Sequence, residues 1–288
     1  MSMTQLGVPE GAGATQQQRW LAVHNALVAS ARTVRLAHEM DPGNCVGCMI
    51  TQQTIYPLTC RPEDMMELLA CNQLNDFLVG DVQVFGHYPY YAERFFERQG
   101  IQLERTEQDL ADLTAGTVDF YSFSYYESKC VTAGDEGSSI SGNILAGVKN
   151  PYLQASAWGW QIDPVGLRIL LNDLYARYEI PLMVVENGIG AVDERAEDGK
   201  FHDSYRIAYL RDHITAMRDA VEDGVDLMGY TMWGCTDLVS ASTGEMKKRY
   251  GFVYVDLDND GNGDLHREPK DSFYWYQKVI RTNGEDLD

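Results

Sequence analysis

No run in this chain approaches the roughly 18 consecutive apolar residues of a membrane span. The opening decapeptide, Met1-Ser-Met-Thr-Gln-Leu-Gly-Val-Pro-Glu10, has no basic n-region and no apolar h-region, so it does not read as a signal peptide. Basic residues are scarce, 23 against 43 acidic ones, for a formal net charge of −20. Such a chain is a poor partner for nucleic acid or for an anionic membrane surface, and its charge reads as solubility. The Gly-rich nucleotide signature and the G-x-S-x-G nucleophile elbow are both missing. Six histidines show no H-x-x-H or H-E-x-x-H spacing, which argues against a zinc site. Six cysteines dispersed over 288 residues read as reduced thiols of a cytoplasmic protein. Cys45-Val-Gly-Cys48 is a lone pair with no second ligand pair, better explained as two small thiols in a buried strand. No metal and no organic cofactor is called for.

What is present is a hydrophobic run that stops at an acid. Pro181 to Val185 is apolar without a break, and Glu186 follows, then Asn187-Gly188. The run reads as a strand buried on both faces, and the Asn-Gly pair as a turn. In α/β barrels the carboxyl ends of strands carry the reacting groups. The plainer alternative is a solvated acid at a loop start.

The rest of the chain supplies the frame. Residues 1–15 are loop-like. Trp20, Val23, Leu27, Ala31, Val34 and Ala37 recur at helical spacing from Gln16 to Glu39. Cys45 to Thr51 reads as the first strand, and Pro62 to Phe77, Tyr90 to Arg98 and Thr106 to Thr114 as helices. Thr117 to Phe123 is the second strand, and 129–150 a long Gly/Ser/Asn-rich loop. A helix opened by Asp163-Pro164 runs to Tyr178, then strand three from Leu182 to Glu186. A helix over Ser204 to Asp223 precedes strand four, Asp226 to Trp233. A short strand, Phe252 to Val255, and a helix, Asp271 to Arg281, close the order. Strand then helix four times over predicts a single domain with a parallel sheet and right-handed crossovers. Four such units are either a complete four-stranded α/β sheet or half of an eight-stranded barrel, which takes about 250 residues whole.

Strand four leads into a second informative loop. Lys247-Lys248-Arg249 is the only run of three basic residues, surrounded by Ser240, Ser242, Thr243 and Tyr250. Cations with several hydroxyl donors suit a phosphate, and a local cation cluster outweighs distant charges screened within about 10 Å. A solvated turn before an edge strand is the competing reading. Asp258-Asn-Asp-Gly-Asn-Gly-Asp264 imitates a calcium loop, but the twelfth position is Pro269 and no helix leads in, so a polar turn is expected.

Four motifs now stand in order: Asp119-Phe-Tyr-Ser-Phe-Ser-Tyr-Tyr126, Ser156-Ala-Trp-Gly-Trp-Gln-Ile-Asp-Pro164, Val184-Val-Glu-Asn-Gly188, and Val239-Ser-Ala-Ser-Thr-Gly through Lys248-Arg-Tyr-Gly251. From about His24 onward the chain resembles the C-terminal part of glycoside hydrolase family 1, and within it the 6-phospho-β-glucosidases. The resemblance implies a retaining glycosidase on a (β/α)8 TIM barrel, with this chain supplying strands five to eight. It implies Glu186 as nucleophile, Tyr126 as its hydrogen-bond donor, Trp233 beneath the sugar ring and Trp160 as a wall. Ser240, Lys248 and Tyr250 match a phosphate clamp. Ser240-Ala241 stands where members acting on free sugars carry Glu-Trp, and a serine donates to a phosphate that a carboxylate would repel.

A retaining mechanism needs a second carboxylate about 5–5.5 Å from the first. The family's Asn-Glu acid/base motif is not found, and the resemblance places it upstream of Met1. The expectation is therefore a truncated chain that self-associates or needs an N-terminal half-barrel. Two alternatives remain open: a non-catalytic fragment that binds sugar phosphate, and a β-glucosidase for unphosphorylated glucosides.

Overall fold

The computed structural model describes residues 13–134 and 147–288. The middle of the expected 129–150 loop lies outside the described residues, as do the first 12 residues. Helix α1 (Gln16–Met40) starts at a reciprocal Thr15/Gln18 cap and packs on α5 (Glu107–Ala115), itself opened by a Thr106/Asp109 box. Between them lie α2 (Pro62–Cys71), α3 (Leu78–Phe85) and α4 (Tyr90–Gln99). A wider π turn, Asn72–Phe77, joins α2 to α3. The sheet has four parallel strands in sequential order: β1 (Ile50–Pro57), β2 (Tyr121–Val131), β3 (Leu182–Glu186) and β4 (Leu227–Tyr230). Helices α6 (Pro164–Tyr178) and α7 (Ser204–Glu222) cover it. A small antiparallel pair, β5 (Val253–Val255) with β6 (Arg267–Pro269), precedes α8 (Asp271–Arg281).

The core explains this order. Leu167, Leu170, Leu171 and Leu174 form one stripe of α6 and pack with Tyr121, Phe123, Tyr125, Leu182 and Val184. Asp163 caps α6 by accepting from Gly166 N at 2.8 Å, with Pro164 at the first helical position. Because the strands are parallel, all four carboxyl ends reach one rim of the sheet. The register slips at that rim, between Phe123 and Ser124, which aligns Ser124 with Glu186. Beyond the slip, Tyr125 turns its hydroxyl to the Asp163 carbonyl on the helix side, whereas Tyr126 reaches Glu186.

Several boundaries move. The first strand is not Cys45 to Thr51 but Ile50–Pro57, and Gly47 makes only an isolated bridge to Phe120. Hydropathy misleads because Gln52, Gln53 and Thr54 are buried. Gln52 Nε2 donates to Tyr121 Oη at 2.6 Å and to the Asp76 carbonyl at 2.9 Å, and Thr54 Oγ1 donates to the Gly166 carbonyl at 2.6 Å. Cys45 is exposed and only Cys48 of that pair is buried, so the expected pair of buried thiols is one. The second strand runs on through Val131, taking the first residues of the expected loop. The helix expected to stop at Phe77 widens there and continues to Gly86, which ends it at φ 72°. Strand four is shorter, and β6, the three residues Arg267-Glu268-Pro269, has no apolar run to mark it as a strand.

Candidate active site

Glu186 ends β3, and Tyr126 Oη donates to its Oε2 at 2.8 Å. Burial raises the Glu186 carboxyl above the ordinary carboxylate range, and the Tyr126 hydrogen bond opposes that rise. Burial and then the Glu186 charge push the Tyr126 phenol far up, so it stays a donor. Asn187 is not the turn residue its Asn-Gly pairing predicts. It is fully buried, and its Nδ2 donates to the Tyr125 carbonyl at 2.8 Å and to Tyr209 Oη at 2.9 Å. Its Oδ1 accepts from Tyr230 at 3.1 Å, and its carbonyl accepts from Trp233 N at 2.8 Å. Half-buried Trp233 is thereby tied to the residue after Glu186.

Trp160 joins this centre to the loop after β4. Its ring meets Tyr126 edge-on, with centroids 5.1 Å apart, and Lys248 Nζ lies 4.0 Å from its centroid. Trp158 and Tyr250 complete the aromatic seat at 5.5 and 5.6 Å. Lys248 is 0% exposed, and among the described residues its Nζ meets no hydrogen-bond acceptor. Burial pushes this amine down to about 8, with Glu245 and Glu127 opposing. Gly190 lies under the lysine stem, where an added Cβ would stand 2.7 Å from Lys248 Cε. Ser240 Oγ lies 3.3 Å from Tyr250 Oη and from Ser242 Oγ. Three hydroxyls and a cation without an acceptor among the described residues thus line this part of the site, as an oxyanion requires.

The basic run does not act as one cluster. Lys247 pairs with Glu245 at 2.9 Å, and Arg249 turns inward toward Asp237 and the carbonyls of Val255 and Leu257. Of these three, Lys248 alone has no carboxylate within ion-pair distance among the described residues. Sequence reasoning passed over Glu127, which is 6% exposed beside Tyr126. Burial pushes its carboxyl up to about 7 against the charges of Lys129 and Lys248. An acid inside the strand Tyr121–Val131 was the available signal. Asp258 accepts from Asp260 N and Asn262 N at 2.9 and 2.8 Å, so the calcium-like segment is a hydrogen-bonded turn. Among the described residues no three His, Cys, Asp or Glu are placed to hold a metal ion, and no helix is long and apolar enough to cross a membrane.

Known proteins resemble this arrangement. The chain is 52% identical over 273 residues to 6-phospho-beta-glucosidase AscB of Escherichia coli K12, covering 94% of this chain and 57% of that protein. It is 55% identical over 267 residues to a 6-phospho-beta-glucosidase of Dickeya chrysanthemi, covering 92% and 57%. Its fold superposes on a family 1 b-glucosidase from Thermotoga maritima with a TM-score of 0.81 at 28% identity, over 97% of this chain and 60% of that one. The chain thus spans less than two thirds of the length of each. The family pattern described as glycosyl hydrolase family 1 matches residues 3–285, and the chain belongs to that family.

Proposed function

We propose that this chain is the nucleophile-bearing and phosphate-bearing part of a retaining hydrolase of 6-phospho-β-glucosides. The observation that carries the proposal is the buried Lys248 amine without an acceptor, beside the Ser240–Tyr250 hydroxyl pair and joined through Trp160 to Tyr126 and Glu186. Ser240, Lys248 and Tyr250 hold the 6-phosphate, and Trp233 floors the sugar. Trp160 walls the site, and Tyr126 fixes the carboxylate. Glu186 attacks the anomeric carbon as the bond to the aglycone oxygen breaks, and that oxygen takes a proton from the acid/base. Water, deprotonated by the same residue, then attacks the anomeric carbon and releases Glu186. The proposal takes the acid/base from an Asn-Glu motif in the part of the relatives that this chain does not span. The four strands are strands five to eight of a (β/α)8 barrel. In support, β1 and β4 each keep one unpaired side among the described residues.

Calorimetric titration of the chain with glucose 6-phosphate and with glucose tests this reading. The phosphorylated sugar binds about tenfold tighter or more if the clamp donates charged hydrogen bonds. Equal affinities refute the phosphate assignment. The pH dependence follows from the lysine. Its value is lowered to about 8, so it is charged below that pH and loses its proton above it. Affinity for the phosphate dianion therefore holds from about pH 7 to 8 and falls as pH rises further, by about tenfold per unit at the limit. Above pH 8, binding also takes up a proton, which titration in buffers of different ionisation enthalpy measures. The groups facing Lys248 include Glu245, held down to about 2 chiefly by its hydrogen bond from Lys247, so it stays charged throughout. Glu127 titrates near 7 and shapes the low-pH limb, together with the phosphate's own second proton at about 6.

A further inference from the structure

Arg206 lies outside the site but touches both of the loops that form it. It is 0% exposed on α7, and Asp203 accepts from its Nε at 2.9 Å. Its Nη1 donates to the Ile189 carbonyl at 2.9 Å and to the Tyr250 carbonyl at 2.8 Å. Its Nη2 donates to Tyr205 Oη at 2.7 Å and, more weakly, to the Arg249 carbonyl at 3.3 Å. Ile189 lies three residues beyond Glu186, and Tyr250 belongs to the clamp. The two loops meet in one short antiparallel bridge, with Ala191 N to the Arg249 carbonyl at 3.0 Å and Arg249 N to the Ala191 carbonyl at 2.8 Å. Arg206 braces that bridge on both sides.

Resting on the function proposed above, we infer that Arg206 is a positioning residue that sets the distance from Glu186 to the phosphate clamp. In a sugar 6-phosphate the rigid ring and a short exocyclic arm confine the spacing between anomeric carbon and phosphate to a narrow range. A site that reads both ends must hold two loops from two strands at the matching spacing. The clamp has further braces, whose side chains meet Arg206 only through its long 3.4 Å contact with Asp193. Arg249 donates to the Val255 and Leu257 carbonyls, and Gly251 N donates to Asp237. Lys270 Nζ donates to Asp193 at 2.6 Å and to Asp237 and the Gly251 carbonyl at 2.7 Å each. Loss of Arg206 therefore leaves the clamp whole but moves it relative to Glu186. The guanidinium holds Asp203 through Nε, the Ile189 and Tyr250 carbonyls through Nη1, and Tyr205 and the Arg249 carbonyl through Nη2, a spread that one ammonium nitrogen does not cover, so lysine is not an equivalent.

Two probes separate positioning from general support: inorganic phosphate, which needs only the clamp, and glucose 6-phosphate, which needs both ends. Arg206→Lys weakens glucose 6-phosphate by about tenfold or more and inorganic phosphate by less than about threefold, since a small displacement is costly only to a ligand gripped at two points. Amide hydrogen exchange at Ala191 and Arg249 quickens, while exchange in α6 is unchanged. Equal weakening of both probes, or of neither, overturns the assignment. Should Arg206→Lys fail to fold, Tyr205→Phe removes one acceptor of the guanidinium and keeps its charge. It then shows the same order of effects, about threefold on glucose 6-phosphate, and equal or absent effects again overturn the role. If the unaltered chain binds neither probe, the phosphate clamp itself falls, and this role falls with it. Unaltered binding in the folded Arg206→Lys chain sinks only the positioning role.

Discussion

Treated with a dinitrophenyl 6-phospho-β-glucoside fluorinated at C2, the chain becomes covalently glycosylated at Glu186. The expectation isolates one half of the double displacement. Dinitrophenolate leaves without a proton, so the step needs the nucleophile and not the acid/base. Fluorine at C2 destabilises the oxocarbenium-like transition states of both steps, and the dinitrophenolate leaving group offsets this only in the first, so the ester accumulates. Digestion and mass spectrometry then place the added glycosyl phosphate. Glu186→Gln lowers the labelling rate by about 10⁴-fold or more, the scale on which loss of an attacking group reduces turnover. Tyr126→Phe slows it less, since the hydroxyl donating at 2.8 Å to Oε2 fixes the carboxylate without itself reacting. Glu127 is the informative competitor, another buried carboxylate one residue from Tyr126. A label there, or labelling of Glu186→Gln at the original rate, rejects Glu186 as nucleophile.

The second large effect is a change of selectivity at Lys248. Lys248→Met keeps the length and the aromatic contact of the side chain and removes its charge. Removing one partner of a buried charged pair costs about 2–5 kcal/mol, so affinity for glucose 6-phosphate falls by about 30-fold or more. Affinity for glucose, which carries no phosphate, stays where it was. The same substitution raises the thermal midpoint of the free chain. The amine's proton affinity is depressed to about 8, so burial disfavours the charge by more than the nearby acids and rings repay. Between pH 8 and the ordinary lysine value the unfolded chain binds the extra proton, and stability rises with pH. A residue that destabilises the free fold yet discriminates ligands has a functional reason for its place. Equal loss of both sugars, or a lowered thermal midpoint, counts against this assignment.

Much of the site was legible because its chemistry lies in short, unusual stretches. An apolar run ending in Glu186 marks a strand end whatever surrounds it, and α8 falls over Asp271–Arg281, the aromatic-rich stretch read as the last helix. The grouping of Ser240 with Tyr250 was readable from the resemblance, and the structure places their hydroxyls 3.3 Å apart. What stayed hidden depends on partners distant in sequence. Gln52 and Thr54 lie beyond the expected end of the first strand at Thr51, and only their bonds to Tyr121 and Gly166 show them inside it. The π turn at Asn72–Phe77 breaks the 3.6-residue period, so the helix beyond it was lost. Arg206 looks like any helix arginine, and nothing local shows that its acceptors lie 17 and 44 positions away. The fates of Lys247, Lys248 and Arg249 divide only in three dimensions, because adjacent residues of an irregular loop face different neighbours.

The aromatic seat of Lys248 has a kinetic side. In an ordinary buried ion pair, an arriving anion must displace the resident carboxylate, and that exchange slows capture. Here the amine rests on ring faces and meets no acceptor among the described residues. An entering phosphate breaks no bond to a carboxylate of the described residues before it makes its own. Capture is then paced by how fast the anion reaches the rim through the field of a strongly acidic chain, and the clamp's strength appears in how slowly the phosphate leaves.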